Sequence, residues 1–196
     1  MPNHILNQVY ALHKTEELFA AVKGKNADDE EVEVTFHRVI PQPEEVKRSP
    51  KCLPCNYSGP NWYDFNLSHW GTKWDAYDVN NGETYLEFNT AWASPEPVIK
   101  ELAKILDDIV FCIYADESLG DNCGAYYYTP DGRREEIDGA YLFAYHFQCG
   151  DYYDAAVREY IEWHEDEDED ECEDEDEDEE EEVEDPRIFI VSIPKD

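Results

Sequence analysis

Basic side chains are scarce in this chain. Lys and Arg together number 15, against 49 Asp and Glu, and the formal net charge is −34. A surface of that sign repels DNA, RNA and anionic membranes, because phosphate contacts dominate such binding and need cations. Long apolar runs are also missing. No stretch approaches the roughly 20 residues needed to span a bilayer. The opening MPNHILNQVY has no basic segment followed by an apolar one, so no export signal is expected. The six cysteines, Cys52, Cys55, Cys112, Cys123, Cys149 and Cys172, are then expected to be reduced thiols in a cytoplasm. No GxSxG, HExxH or Gly-rich phosphate loop occurs, so the motifs that announce hydrolases, zinc proteases and nucleotide binders are lacking. Catalysis therefore has little sequence support, and no cofactor is expected.

What is present is acid. Between Glu165 and Asp185 the chain reads EDEDEDECEDEDEDEEEEVED, where only Cys172 and Val183 are uncharged. Glu165, Asp166, Glu167, Asp168, Glu169, Asp170 and Glu171 precede the cysteine. Glu173, Asp174, Glu175, Asp176, Glu177, Asp178 and Glu179 follow it. Like charges at this density repel and give no apolar surface to bury. The register resembles a row of phosphates, and it points to a partner with a basic surface. Removing the run leaves 29 acidic and 13 basic residues in 1–164, a net −16. Acidity is thus spread over the folded part too. The plainer reading is solubility alone. Asp-rich runs also attract hard cations weakly, but this one lacks the Gly turn and ligand spacing of a specific site.

Aromatics are abundant, with 14 Tyr, 8 Phe and 5 Trp, so residues 1–164 can build the core of one domain. Periodicity predicts mixed α and β. Ile5 to Leu12 reads as a strand. A short helix follows, with Thr15 as its cap, an apolar face of Leu18, Phe19 and Val22, and Gly24 as its stop. Glu31 to Ile40 alternates through Val32, Val34 and Phe36 as a second strand. Residues 41–60 read as loop. Thr84 to Trp92 reads as a strand with Leu86, Phe88 and Thr90 on one face. Ser94 is expected to cap a helix whose buried stripe is Val98, Ile99, Leu102, Ile105 and Leu106. Ile109 to Tyr114 and Ala125 to Tyr128 read as paired strands, and TPDG at 129–132 as a turn. A strand at 139–147, a helix at 153–163 and a strand at 187–193 complete the pattern. That last strand is expected to rejoin the domain's own sheet or to add to a partner's.

Strand, helix, strand, repeated, is the split βαβ order. The expected fold is α+β and ferredoxin-like. An antiparallel sheet carries helices on one face, with an aromatic insertion at about 41–82 and an acidic extension at 165–185 before a short strand in 186–196. Met1-Pro2-Asn3, VIPQPEE at 39–45, NWYDFNLSHWGTKWDAYDV at 61–79 and FNTAWASPEPVIKEL at 88–102 together resemble the YubB-type ferredoxin-like proteins of phages and plasmids. The resemblance covers most of residues 1–130. Gly71-Thr72-Lys73-Trp74 and Asn61-Trp62-Tyr63 are its most specific parts. It implies a fold without an iron–sulfur cluster and a mobile-element origin, and it carries no reaction. His4 and Ile5 stand where that family has Trp and Cys.

The aromatic block has two readings. Asn61, Trp62, Tyr63, His69, Trp70, Lys73 and Trp74 can form a stacking surface for a base or a peptide. Alternatively they form a satellite core over one sheet edge, which the scarcity of basic residues among them favours. Cys52 and Cys55 have half the spacing of a zinc site, with no second CxxC pair in the chain. Taken together, these features lead to one functional expectation. It is a phage or plasmid interaction protein of the host cytoplasm that occupies the basic cleft of a host CRISPR or restriction nuclease, or of a similar nucleic-acid-binding protein, by phosphate mimicry. A nucleic-acid or nucleotide-processing enzyme on the same scaffold, and a non-catalytic assembly or solubility role, are the alternatives.

Overall fold

Strand β1, His4–Ala11, lies inside a sheet that has five strands among the described residues. The computed structural model describes residues 3–54, 57–116 and 123–136. On one side β1 pairs antiparallel with β4, Leu86–Ala91, and on the other with β5, Val110–Asp116. Strands β6, Cys123–Tyr128, and β7, Arg134–Glu136, extend the sheet beyond β5, giving the order β4-β1-β5-β6-β7. Both β4 and β5 run antiparallel to β1, so they are parallel to each other. Helix α5, Glu96–Leu106, connects them across β1. This is a split βαβ unit. The fold is α+β with an antiparallel sheet, as the periodicity implies.

The register decides which residues meet the helices. Val9 lies opposite Leu86 and Cys112, and Asn7 opposite Phe88 and Tyr114. Side chains alternate along a strand, so this face carries Val9, Leu86, Phe88, Cys112, Tyr126 and Tyr128. Helix α1, Thr15–Val22, supplies Leu18 and Val22 to it, and α5 supplies Val98, Ile99, Leu102, Ala103 and Leu106. Ile105 is 52% exposed, contrary to the expected stripe. It sits roughly a quarter turn off the line through Leu102 and Leu106, and Ala103 takes the buried place. The other face also holds buried residues, among them Phe111, Ile113 and Ala125.

Helix starts differ most from expectation. Thr15 is the first residue of α1 and does not cap it. No side chain caps it; Asp108 Oδ2 instead accepts 2.9 Å bonds from the N–H groups of His13 and Lys14, the two residues that lead into the helix. At the other end, Lys23 is already extended and Gly24 opens the two-residue strand β2, Gly24–Lys25, so Gly24 is no C-terminal stop. Only Glu31–Val32, β3, is strand in the stretch 31–40, paired with β2. The chain then turns into helix α2, Phe36–Val39. Thr35 Oγ1 accepts from His37 N–H and Asp75 Oδ1 from Phe36 N–H at 2.7 Å. Val34, Phe36 and Val39 are buried; Val34 and Phe36 have the spacing of a strand face, while Phe36 and Val39, three apart, share one face of the helix. The loop at 41–60 contains a one-turn helix α3, Glu44–Lys47. Ser94 does not cap α5 with its side chain. Its hydroxyl turns inward to the Tyr126 hydroxyl at 2.8 Å.

Other elements stand as read. Leu86 and Phe88 are buried while Glu87 and Asn89 are half-exposed. Gly132 adopts φ +84 and its N–H donates to Thr129 O at 2.9 Å, closing the turn. The segments 139–147, 153–163 and 187–193, the acidic run and Cys55 lie outside the described residues.

Candidate functional site

The insertion between α2 and β4 gathers large aromatics on the described surface. Asn61 caps helix α4, Trp62–Phe65, its Oδ1 accepting from Asp64 N–H at 2.9 Å. The helix widens into a π-helical turn, Asn66–Trp70, and stops at Gly71 with φ +77. A Cβ at Gly71 would lie 2.8 Å from Pro97 Cδ, so both the left-handed turn and the close approach to α5 require glycine. Trp70, which precedes it, is fully buried. Its Nε1 donates to Ile40 O at 3.0 Å, and its ring meets Phe36 edge-on at 5.7 Å.

The chain beyond Gly71 is tied to the end of β4. Thr72 Oγ1 donates to Ala91 O at 2.8 Å and accepts from Ala91 N–H at 3.1 Å. Asn66 Nδ2 holds Lys73 O at 2.9 Å. Tyr77 and Asn89 exchange backbone hydrogen bonds, and Asn80 N–H donates to Glu87 O. The insertion therefore lies along the outer edge of β4, which an open sheet must otherwise protect.

This tethering places Lys73 between two indoles. Its Nζ lies 4.9 Å from the ring centres of both Trp74 and Trp92. Tyr63 meets Trp92 edge-on at 6.3 Å, and Trp62 meets Tyr63 at 5.8 Å. Trp74 rests edge-on against Tyr77, whose hydroxyl is hydrogen-bonded to His4 Nδ1 and to Thr90 O. Trp74 is 37% and Trp92 40% exposed. Trp92 has φ +77, a left-handed conformation that strains a bulky residue by about 1–3 kcal/mol.

The candidates thus separate. Trp62, Tyr63, Lys73 and Trp74 join one surface strip. Trp70 is core, as the satellite reading requires, and Asn61 is a buried cap. His69 is exposed and stacks on Phe65 at 4.1 Å, hydrogen-bonded to Ser68. Trp92 belongs to the strip although sequence reasoning had it as the end of a strand. Period-two alternation from Leu86, Phe88 and Thr90 puts position 92 inside. The left-handed residue breaks that alternation, and nothing in local composition signals it.

The titratable groups elsewhere are structural. Asp75 accepts from Phe36 N–H, Thr35 Oγ1 and Ala76 N–H, and stands 3.9 Å from His37 Nε2. Burial pushes Asp75 up and His37 down. Cys112 is buried, which pushes its thiol up to about 12, beside Ser94, so it is no nucleophile. Cys52 is exposed. Among the described residues no cluster of three His, Cys, Asp or Glu is placed to hold a metal ion. No helix among them is long and apolar enough to cross a membrane.

Most cations of the described surface are already neutralised. Lys23 pairs with Glu33, Lys47 and Arg48 with Glu44, Lys51 with Asp28, Lys104 with Glu101, and Arg134 with Glu96 and Glu136. Lys100 lies over the Tyr128 ring. Lys47, Arg48, Lys51 and Lys73 therefore form no open basic patch.

A family model described as the ferredoxin-like domain in Api92-like protein matches residues 69–187, more than half of the chain. No curated protein and no solved structure matches it. The chain belongs to that ferredoxin-like family.

Proposed function

We propose that this chain is an acidic interaction protein of phage or plasmid origin. It acts in the bacterial cytoplasm and competes with DNA or RNA for the basic cleft of a host nucleic-acid-binding protein, such as a CRISPR or restriction nuclease. Charge carries the reading. The run Glu165–Asp185 holds 19 acidic residues, and residues 1–164 add a net −16. Arg and Lys of a target would meet carboxylates where they otherwise meet phosphates, through charge-assisted hydrogen bonds. The ion pairs of Lys23, Lys47, Lys51 and Lys104 leave that field little opposed. The resemblance to phage and plasmid proteins supports the origin.

The mechanism is competition and needs no bond-making step. An enzyme acting on polynucleotides would need cations around the aromatic strip. Among the described residues Lys73 is the one cation within the strip, and it lies against two indoles.

Affinity capture from bacterial lysate at low and high salt, with mass spectrometry, tests the proposal. Nucleic-acid-binding proteins are expected at low salt and are expected to be displaced by added duplex DNA or by RNA. A captured set indifferent to salt and to polynucleotide contradicts phosphate mimicry. No capture at either salt leaves the plain solubility role.

A further inference from the structure

We infer that the strip of Trp74, Lys73, Trp92 and Tyr63 is a docking surface for an arginine-bearing segment of a protein partner. The inference rests on the proposed acidic function and supplies it with a local recognition element. Acidic residues give long-range attraction and rate, but a uniform run of one charge offers no shape that tells one basic cleft from another. An exposed aromatic strip adds discrimination, because Trp and Tyr are the residues that anchor interfaces.

Several observations converge on this surface. Trp74 and Trp92 are two of the five large apolar side chains left exposed among the described residues, and they share one cation. A tryptophan held at φ +77 is strained, and strain that persists clusters at functional positions. The strip is also held from behind. Thr72 is pinned to Ala91, and Tyr77 is bonded to His4 and Thr90, so the rings are presented on a fixed base. Lys73 meets both indole faces at 4.9 Å and has no ion pair among the described residues. The indole pair thus already accepts a cation, which indicates the chemistry it prefers.

Charge selects the occupant. The exposed carboxylates Asp64 and Asp78 are sequence neighbours of Tyr63 and Tyr77, and residues 1–164 carry net −16. A polynucleotide stacking on the rings would meet that field with the wrong sign. A guanidinium is planar, weakly hydrated and stacks on indole better than an ammonium does. An arginine of the partner can lie on an outer indole face while neighbouring basic residues engage carboxylates.

The probes are nona-arginine and nona-lysine peptides and a single-stranded oligonucleotide, titrated into the full chain labelled with ¹⁵N. Trp74→Phe and Trp92→Phe assign the indole N–H signals. The arginine peptide is expected to shift the Trp74 and Trp92 signals and to bind roughly fivefold tighter than the lysine peptide. Trp74→Ala is expected to abolish that preference while both peptides keep salt-dependent binding. Equal binding of the two peptides, with salt dependence intact, overturns the docking surface and leaves the acidic function standing. Failure of both peptides to bind overturns both. An oligonucleotide that shifts the same two signals overturns the assignment of the strip to a protein segment.

Discussion

Asp75 Oδ2 stands 3.9 Å from Nε2 of His37, and both side chains are largely buried. The contact joins the insertion to helix α2 and makes the fold sensitive to pH. Burial, against the pull of Asp75, holds His37 below the ordinary 6.5. The unfolded chain therefore binds the extra proton first, and the stability that neutral His37 contributes is lost as pH falls through 6.5 towards the folded value. Asp75 is raised, so its own effect has the opposite sign and acts in the acid range above 3.8. Stability should decline as pH drops below 6.5, and His37→Gln should flatten that decline. Denaturant titrations at several pH values check it. An unchanged slope in the variant contradicts the assignment.

Trp70 and Trp74 should respond differently to truncation. Trp70 is fully buried and bonded to Ile40 O, so Trp70→Ala should cost about 3–5 kcal/mol. Trp74 is 37% exposed, and Trp74→Ala should cost less than about 1 kcal/mol. Chemical unfolding of both variants measures the contrast. Equal losses would place Trp74 in the core.

Asp108 joins the α5–β5 connection to the start of α1. Asp108→Ala removes the acceptor of the His13 and Lys14 N–H groups and should destabilise by about 1–3 kcal/mol. Asp108→Asn keeps one carbonyl acceptor and should lose less. An Asp108→Ala variant of unchanged stability would show that water replaces the carboxylate as acceptor.

These residues also mark where sequence reading stops. Strands β4, β5 and β6 and helix α5 were legible because each has a clean local period and a turn or proline at its boundary. Helix α1 was legible as an element, but the anchor of the residues that lead into it was not, since Asp108 is more than 90 residues away in sequence. Residues 31–40 misled because Val34, Phe36 and Val39 satisfy either a strand or a short helix. The first donor of α2 there, Phe36 N–H, is satisfied by the distant Asp75. Four of the strip's five residues, Trp62, Tyr63, Lys73 and Trp74, were visible as a Trp-rich block. Trp92 was not, because only its positive φ turns it away from the buried face. Ile105 was misplaced by a fraction of a helical turn.

Replacing residues 165–185 with a neutral Gly-Ser linker of equal length should leave the domain folded. At low salt its thermal midpoint should rise slightly, because self-repulsion falls. Added salt should shrink the difference. A lower midpoint in the linker variant would show that the run contributes contacts to the fold.

The central claim is competition for a basic cleft. The most direct measurement is displacement of labelled duplex DNA or RNA from a captured partner, followed across salt, with the native chain and with the linker variant. The native chain should displace the nucleic acid, less effectively as salt rises, and the linker variant should lose most of that effect. A partner that keeps its nucleic acid at saturating native chain, at low salt, would contradict the account.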